Sequence, residues 1–98
     1  MTDQCLTTLH ARVEGFVQGV GFRYFVLEKA QGLGLMGWVR NCTNGDVEVL
    51  AEGSREQLEK LLSFLRQGPR SALVTNIHCD WQEASGRFSG FSVVATSS

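Results

Sequence analysis

The apolar residues of this chain change their spacing along its length, and the order of those changes limits the fold more than any other feature. Leu9, Ala11 and Val13 alternate with His10, Arg12 and Glu14, the two-residue period of a strand with one buried and one wetted face. From Phe22 to Leu33 the apolar positions Phe22, Phe25, Val26, Ala30 and Leu33 fall at helical spacing, and Gly32 and Gly34 supply stop signals. Gly37 to Asn41 reads as a short extended run. Thr43-Asn44-Gly45-Asp46 then turns the chain, because Asn-Gly accepts the positive φ of a tight hairpin, and Val47, Val49 and Ala51 alternate with Glu48, Leu50 and Glu52 beyond it. Ser54 with Gln57 three residues on predicts a capping box, and Leu58, Leu61, Leu62 and Leu65 draw the apolar stripe of a helix stopped by Gly68-Pro69. Leu73, Thr75, Ile77, Cys79 and Trp81 share one parity and predict a fourth strand, while Val74 sits on the other parity and leaves its buried face open. Phe91 and Val93 mark a short last strand.

This β-α-β-β-α-β order predicts an α+β fold: a ferredoxin-like sandwich with an antiparallel four- to five-stranded sheet and two helices on one face. Right-handed crossovers place strands one and three in the middle and strand two at an edge, so the C-terminal ends of strands one and two open onto the same rim. With 98 residues, 43% of them apolar, the chain makes a single domain spanning residues 1–98. Its structured core is expected over about residues 8–94, and it can bury roughly 60–70% of its unfolded surface.

Nine basic residues against ten acidic ones leave a net charge of -1. The phosphate-neutralising field of a nucleic-acid binder is missing, and any anion has to be met locally. Cys5, Cys42 and Cys79 are odd in number and fit no metal-ligand spacing, which predicts reduced thiols, no disulfide framework and no metal site. The opening MTDQCLTTLH has no basic segment ahead of a long apolar core, and no run is long enough to cross a bilayer. A cytoplasmic monomer without membrane partners is the expectation.

The stretch GFVQGVGFR, residues 15–23, falls on the predicted rim. A glycine-rich turn feeding a helix N-terminus points unpaired backbone N–H groups into a small hollow, where the helix dipole adds partial positive charge. Such a turn suits an oxyanion. Arg23 falls in the first helical turn, and helical side chains lean toward the N-terminus, so its guanidinium can reach over the same hollow. A planar, permanently charged fork matches phosphate geometry. Asn41, at the end of strand two, shares the parity of Val39 and is expected to point over the rim toward Arg23. His10 and His78 are isolated and expected to be structural or solvent-facing. Trp38 and Trp81 are expected to pack, and Glu48 and Glu52 to form an ordinary wet strand face.

These residues carry a resemblance. GFVQGVGFR is similar to the first signature of the acylphosphatase family, G-x-V-Q-G-V-x-F-R, and GWVRNCTNGDVEVLAEG, residues 37–53, resembles the second. FSGF near the C-terminus is similar to the family's F-x-x-F close. The resemblance implies a small cytosolic hydrolase that cleaves the carboxyl-phosphate bond of acyl phosphates without metal or organic cofactor. It implies that Arg23 binds the phosphate together with backbone N–H groups of Phe16, Val17, Gln18, Gly19 and Val20, and that Asn41 orients the attacking water. Vertebrate members often carry a cysteine where this chain has Gly21, so the likeness is to bacterial-type members.

Two other readings share the topology. A non-catalytic binder of a carboxyl- or phospho-ligand would keep the loop, whereas an RNA-recognition module would need aromatic residues on the central strands in place of His10, Arg12, Glu14, Glu48 and Glu52. A related domain inside a larger carbamoyl-transfer protein is the third reading. The chain's length and lack of zinc-finger spacing favour a stand-alone enzyme.

Overall fold

Alternating aliphatic residues hold the strands and two apolar stripes hold the helices that cover them. The computed structural model describes residues 5–97; residues 1–4, where the reading of the N-terminus begins, and Ser98 lie outside the described residues. The elements are β1 (Leu6–Phe16), α1 (Phe22–Gly32), β2 (Met36–Asn41), β3 (Val47–Ser54), α2 (Arg55–Gln67), β4 (Leu73–Glu83) and β5 (Phe91–Val93). They form one sheet in the order β4-β1-β3-β2-β5.

The register aligns the inward residues in rows across the sheet. Ile77, Val13, Val47 and Asn41 make one row, and Cys79, Ala11, Val49 and Val39 the next. Leu9, Ala11, Val13, Val39, Val47, Val49 and Ala51 are fully buried, against Phe22, Val26 and Ala30 of α1 and Leu58, Leu61, Leu62 and Leu65 of α2. Each buried leucine or valine contributes about 1.5–3 kcal/mol, which holds α2 to the sheet more firmly than its intrinsic propensity does. Ser54 caps α2 by accepting the Gln57 N–H at 3.2 Å. Only that half of the expected capping box forms, since the buried Gln57 Oε1 has no hydrogen-bond partner among the described residues.

One sequence expectation changes and one open question closes. Strand two is not an edge: β5 pairs with it in parallel, Gly37 opposite Phe91 and Val39 opposite Val93, so a parallel pair joins the otherwise antiparallel sheet. A three-residue strand reached by a long connection leaves no turn signal to read. The buried face of β4 is also settled. Ile77 and Trp81 lie on the helix side opposite Val13 and Leu9, and then the register slips, Glu14 pairing with Asn76 but Gly15 with Val74. Thr75 is the extra residue of a β-bulge, which reverses the parity and turns Val74 inward and Leu73 outward. The bulge draws the strands together at Gly15, where a Cβ would lie 2.1 Å from the Leu73 carbonyl oxygen. No residue but glycine fits.

Glu52 is a second correction, because it is 2% exposed and not on a wet face. The segment that leaves β4 for β5 passes over it. Its carboxylate accepts the Ser85 N–H and hydroxyl, both at 2.7 Å, the Gly86 N–H at 3.2 Å and the Thr8 hydroxyl at 2.8 Å. Burial alone pushes this carboxyl up, but the Ser85, Thr8 and Gly86 donors outweigh it and bring the pKa from the ordinary 4.5 down to about 2. A depressed carboxylate stabilises the fold above its unfolded pKa, and that contribution is lost as pH falls from about 4.5 toward 2. Glu52→Gln leaves donors facing a group with half the accepting capacity and is expected to cost about 1–3 kcal/mol at neutral pH. Urea unfolding of both proteins across acid pH checks this: the gap in midpoint should narrow through that window, and a pH-independent gap would show that the charge is not what matters.

Candidate active site

The rim predicted from topology is formed by the C-terminal ends of β1 and β2, the start of β4 and the N-terminus of α1. Val17 is buried in the core and Val20 packs against it, so the 17–21 loop is anchored by its valines while Gly19 stays exposed. Gly21 takes the left-handed conformation, φ 79 and ψ 17, as the N-cap of α1, and no side chain caps the helix there. The N–H groups of residues 18–23 make no hydrogen bond to described residues. Such free donors at a positive helix end make a site for an anion. Phe16 is the last residue of β1, paired with Leu73, so it borders this loop from the strand.

Arg23 is half-buried in the first turn of α1. Among the described residues its guanidinium has no carboxylate partner, whereas Arg12, Arg40 and Arg55 are each paired. Its charge is therefore available to a ligand. Asn41 ends β2 opposite Val47, in the row of Val13 and Ile77, so its side chain projects to the helix side as predicted. Its Oδ1 is buried and has no hydrogen-bond partner among the described residues. A buried carboxamide oxygen left unpartnered costs stability, and such groups are usually satisfied by water or ligand.

On the open face of the sheet the carboxylates are tied into cross-strand contacts. Glu48 accepts from Arg40 at 2.8 Å and meets His10 at 2.6 Å; burial pushes its carboxyl up, but these two partners prevail and hold it below the ordinary range. Arg12 pairs with Asp46 at 2.9 Å, and His78 with Glu14. Trp38 and Trp81 do pack, Trp81 against the core, and the Arg40 and Arg55 guanidiniums lie over their rings, 4.4 and 3.6 Å from the centroids. Among the described residues no group of three His, Cys, Asp or Glu side chains could hold a metal ion.

The profile of the acylphosphatase family matches residues 9–93. The chain belongs to the acylphosphatase family. An acylphosphatase of Acaryochloris marina is 48% identical over 86 residues, 88% of this chain and 91% of that protein. The crystal structure of acylphosphatase from Bacillus subtilis matches with a TM-score of 0.87 at 38% identity, covering 90% of this chain and 98% of that one. Full-length HypF in a phosphate- and nucleotide-bound form matches with a TM-score of 0.88 at 26% identity, over 97% of this chain but 13% of that one.

Two contacts in this acylphosphatase domain had no sequence signal. Gln18 Nε2 donates to the carbonyls of Cys42 at 2.7 Å and Asp46 at 2.8 Å, tying the loop to the hairpin turn directly after Asn41. On the other side of β2, the Ser97 N–H donates to the Asn41 carbonyl at 3.0 Å and Thr43 N–H to the Ser97 carbonyl at 3.2 Å. The backbone of Asn41 is thus held between β3 and the C-terminal segment. Both contacts are made by polar residues in irregular segments, whose partners periodicity does not reveal.

Proposed function

We propose that Arg23 and the backbone N–H groups of residues 16–20 hold the phosphate of an acyl phosphate while Asn41 positions the water that attacks it. Hydrolysis of acyl phosphates is the activity that membership of the acylphosphatase family gives this chain. The observation that carries the assignment of roles is the tie through Gln18, which fastens the donor-rich loop beside Asn41.

The chemistry fits such a sparse site. Water oxygen bonds to phosphorus, the bond from phosphorus to the acyl oxygen breaks with its electron pair leaving on the carboxylate, and both water protons end on the phosphate product. A carboxylate with a conjugate-acid pKa of roughly 4 departs unprotonated at neutral pH, so no general acid is needed. Phosphoryl transfer asks the protein to position reactants and to stabilise charge on the equatorial oxygens, which fixed N–H donors and a guanidinium do. A neutral carboxamide can hold the water in line without repelling the dianion, as an aspartate would.

The 98 residues act in this reading as one domain and a monomer, cytoplasmic, on a small-molecule acyl phosphate, with no cofactor, nucleic acid or membrane. No helix of the described residues is long and apolar enough to cross a membrane. The test is hydrolysis of benzoyl phosphate, followed by its ultraviolet absorbance, in water enriched in heavy oxygen. Turnover that places the label in inorganic phosphate is expected. Binding without turnover would make the chain a ligand-binding module, and label in benzoate would place the attack on carbon.

A further inference from the structure

The segment that joins β2 on its outer side does not end its pairing with β5. The parallel ladder runs to Val39 opposite Val93, where the Val94 N–H donates to the Val39 carbonyl at 3.0 Å. The two segments then fall out of step and meet once more at Cys42 and Ser97, three residues beyond Val39 but four beyond Val93. The extra residue bulges out of the C-terminal segment, and Ala95 and Thr96 between the two pairings are exposed. Pairing resumes at the peptide that follows the Asn41 side chain. Its carbonyl, that of Asn41, accepts from the Ser97 N–H at 3.0 Å, and its N–H, that of Cys42, donates to the Asp46 carbonyl at 2.9 Å on the β3 side. This peptide is therefore fixed from both edges.

We propose that Ser97 is a positioning residue for the reaction: its backbone N–H holds the Asn41 peptide and thereby aims the Asn41 carboxamide at the attacking water. This rests on the reading that Asn41 orients that water. The plane of the peptide sets ψ of Asn41, and so the direction in which its side chain leaves the strand. The buried Asn41 Oδ1 has no hydrogen-bond partner among the described residues, so the backbone aims that oxygen and a neighbouring side chain does not. The two clamps on the peptide differ in support. Gln18 braces the β3 side through the Cys42 and Asp46 carbonyls, whereas the outer clamp comes from the backbone of Ser97, beyond two exposed residues. In-line attack tolerates little misplacement, an error of about 1 Å costing on the order of a hundredfold in rate. Loss of the outer clamp loosens the carboxamide without removing it, so its cost is smaller than that of losing the Asn41 side chain.

The experiment compares Ser97→Pro, which deletes the N–H and keeps the carbonyl that accepts from the Thr43 N–H, with Ser97→Ala, which keeps both. The kcat for benzoyl phosphate should fall roughly five- to twentyfold in Ser97→Pro, with KM and the inhibition constant of inorganic phosphate unchanged, and stay near wild type in Ser97→Ala. In an Asn41→Ala background, Ser97→Pro should lower kcat no further, because the group it aims is gone. Deletion of residues 97–98 removes the same donor without the fixed φ of proline and should reproduce the loss, which covers a Ser97→Pro chain that does not fold. Unchanged kcat in either folded variant, or an equal loss on top of Asn41→Ala, would overturn the inference and leave the roles of Arg23 and Asn41 standing. Phosphate inhibition that weakens in step with kcat would tie Ser97 to the phosphate cradle and overturn it too. Near-normal hydrolysis by folded Asn41→Ala would overturn the underlying reading and this inference with it.

Discussion

Arg23→Gln lowers turnover of benzoyl phosphate by about three orders of magnitude or more and weakens competitive inhibition by inorganic phosphate. The expected size follows from what the guanidinium does. In the proposed site it would supply a full charge beside backbone N–H groups, and an arginine aimed at a transferring phosphoryl group contributes on the order of 10³–10⁵ in rate. Because Arg23 has no carboxylate partner among the described residues, removing its charge leaves no buried carboxylate unpaired. Thermal stability should therefore stay close to wild type, which separates a lost ligand contact from a damaged fold. Steady-state kinetics with phosphate as inhibitor decide the matter: a variant inhibited as tightly as wild type would remove Arg23 from phosphate binding.

Asn41→Ala gives the complementary result. Turnover is expected to fall by about two orders of magnitude, with inhibition by inorganic phosphate kept, because in the proposed mechanism alanine removes only the group that orients the water. The Asn41 backbone is held by its pairing to Val47 and by the Ser97 N–H, neither of which depends on the side chain. The substitution also removes a buried oxygen that has no partner among the described residues, so the fold should lose little. Near-normal hydrolysis by folded Asn41→Ala would contradict the assigned role, and loss of phosphate inhibition in parallel with turnover would make Asn41 a phosphate ligand.

Much of the rim was legible in the sequence because its parts sit where periodicity changes. The strand period ends at the GFVQGVGFR loop, the helical period begins at Phe22, and the Asn-Gly turn closes the hairpin just after Asn41, so topology alone brings the loop, Arg23 and Asn41 to one rim. What was missed lies in contacts that break periodicity or ignore it. Glu52 looked wetted because its strand alternates, yet Ser85 and Gly86 cover it from a segment far along the chain. The parity of Leu73 and Val74 could not be reconciled without the extra residue at Thr75, and a bulge is a property of two strands together, not of either sequence. Strand β5 adds to β2 through backbone pairing that carries no side-chain signature. The partners of Glu48 and Glu14, namely Arg40, His10 and His78, sit on neighbouring strands, so these pairs leave no signal within one strand. The resemblance to the acylphosphatase family is what proposes roles for particular rim residues. It did not show that Gln18 is the brace between loop and hairpin.

The most direct test is a titration of isotope-labelled protein with inorganic phosphate, read by amide and guanidinium nuclear magnetic resonance. The largest shifts should fall on the backbone N–H groups of residues 17–20 and on Nε of Arg23, saturating together with one dissociation constant that matches the kinetic inhibition constant. Shifts confined to another cation, such as Arg87, or saturation that leaves the 17–20 amides unmoved, would contradict a phosphate cradle at the start of α1.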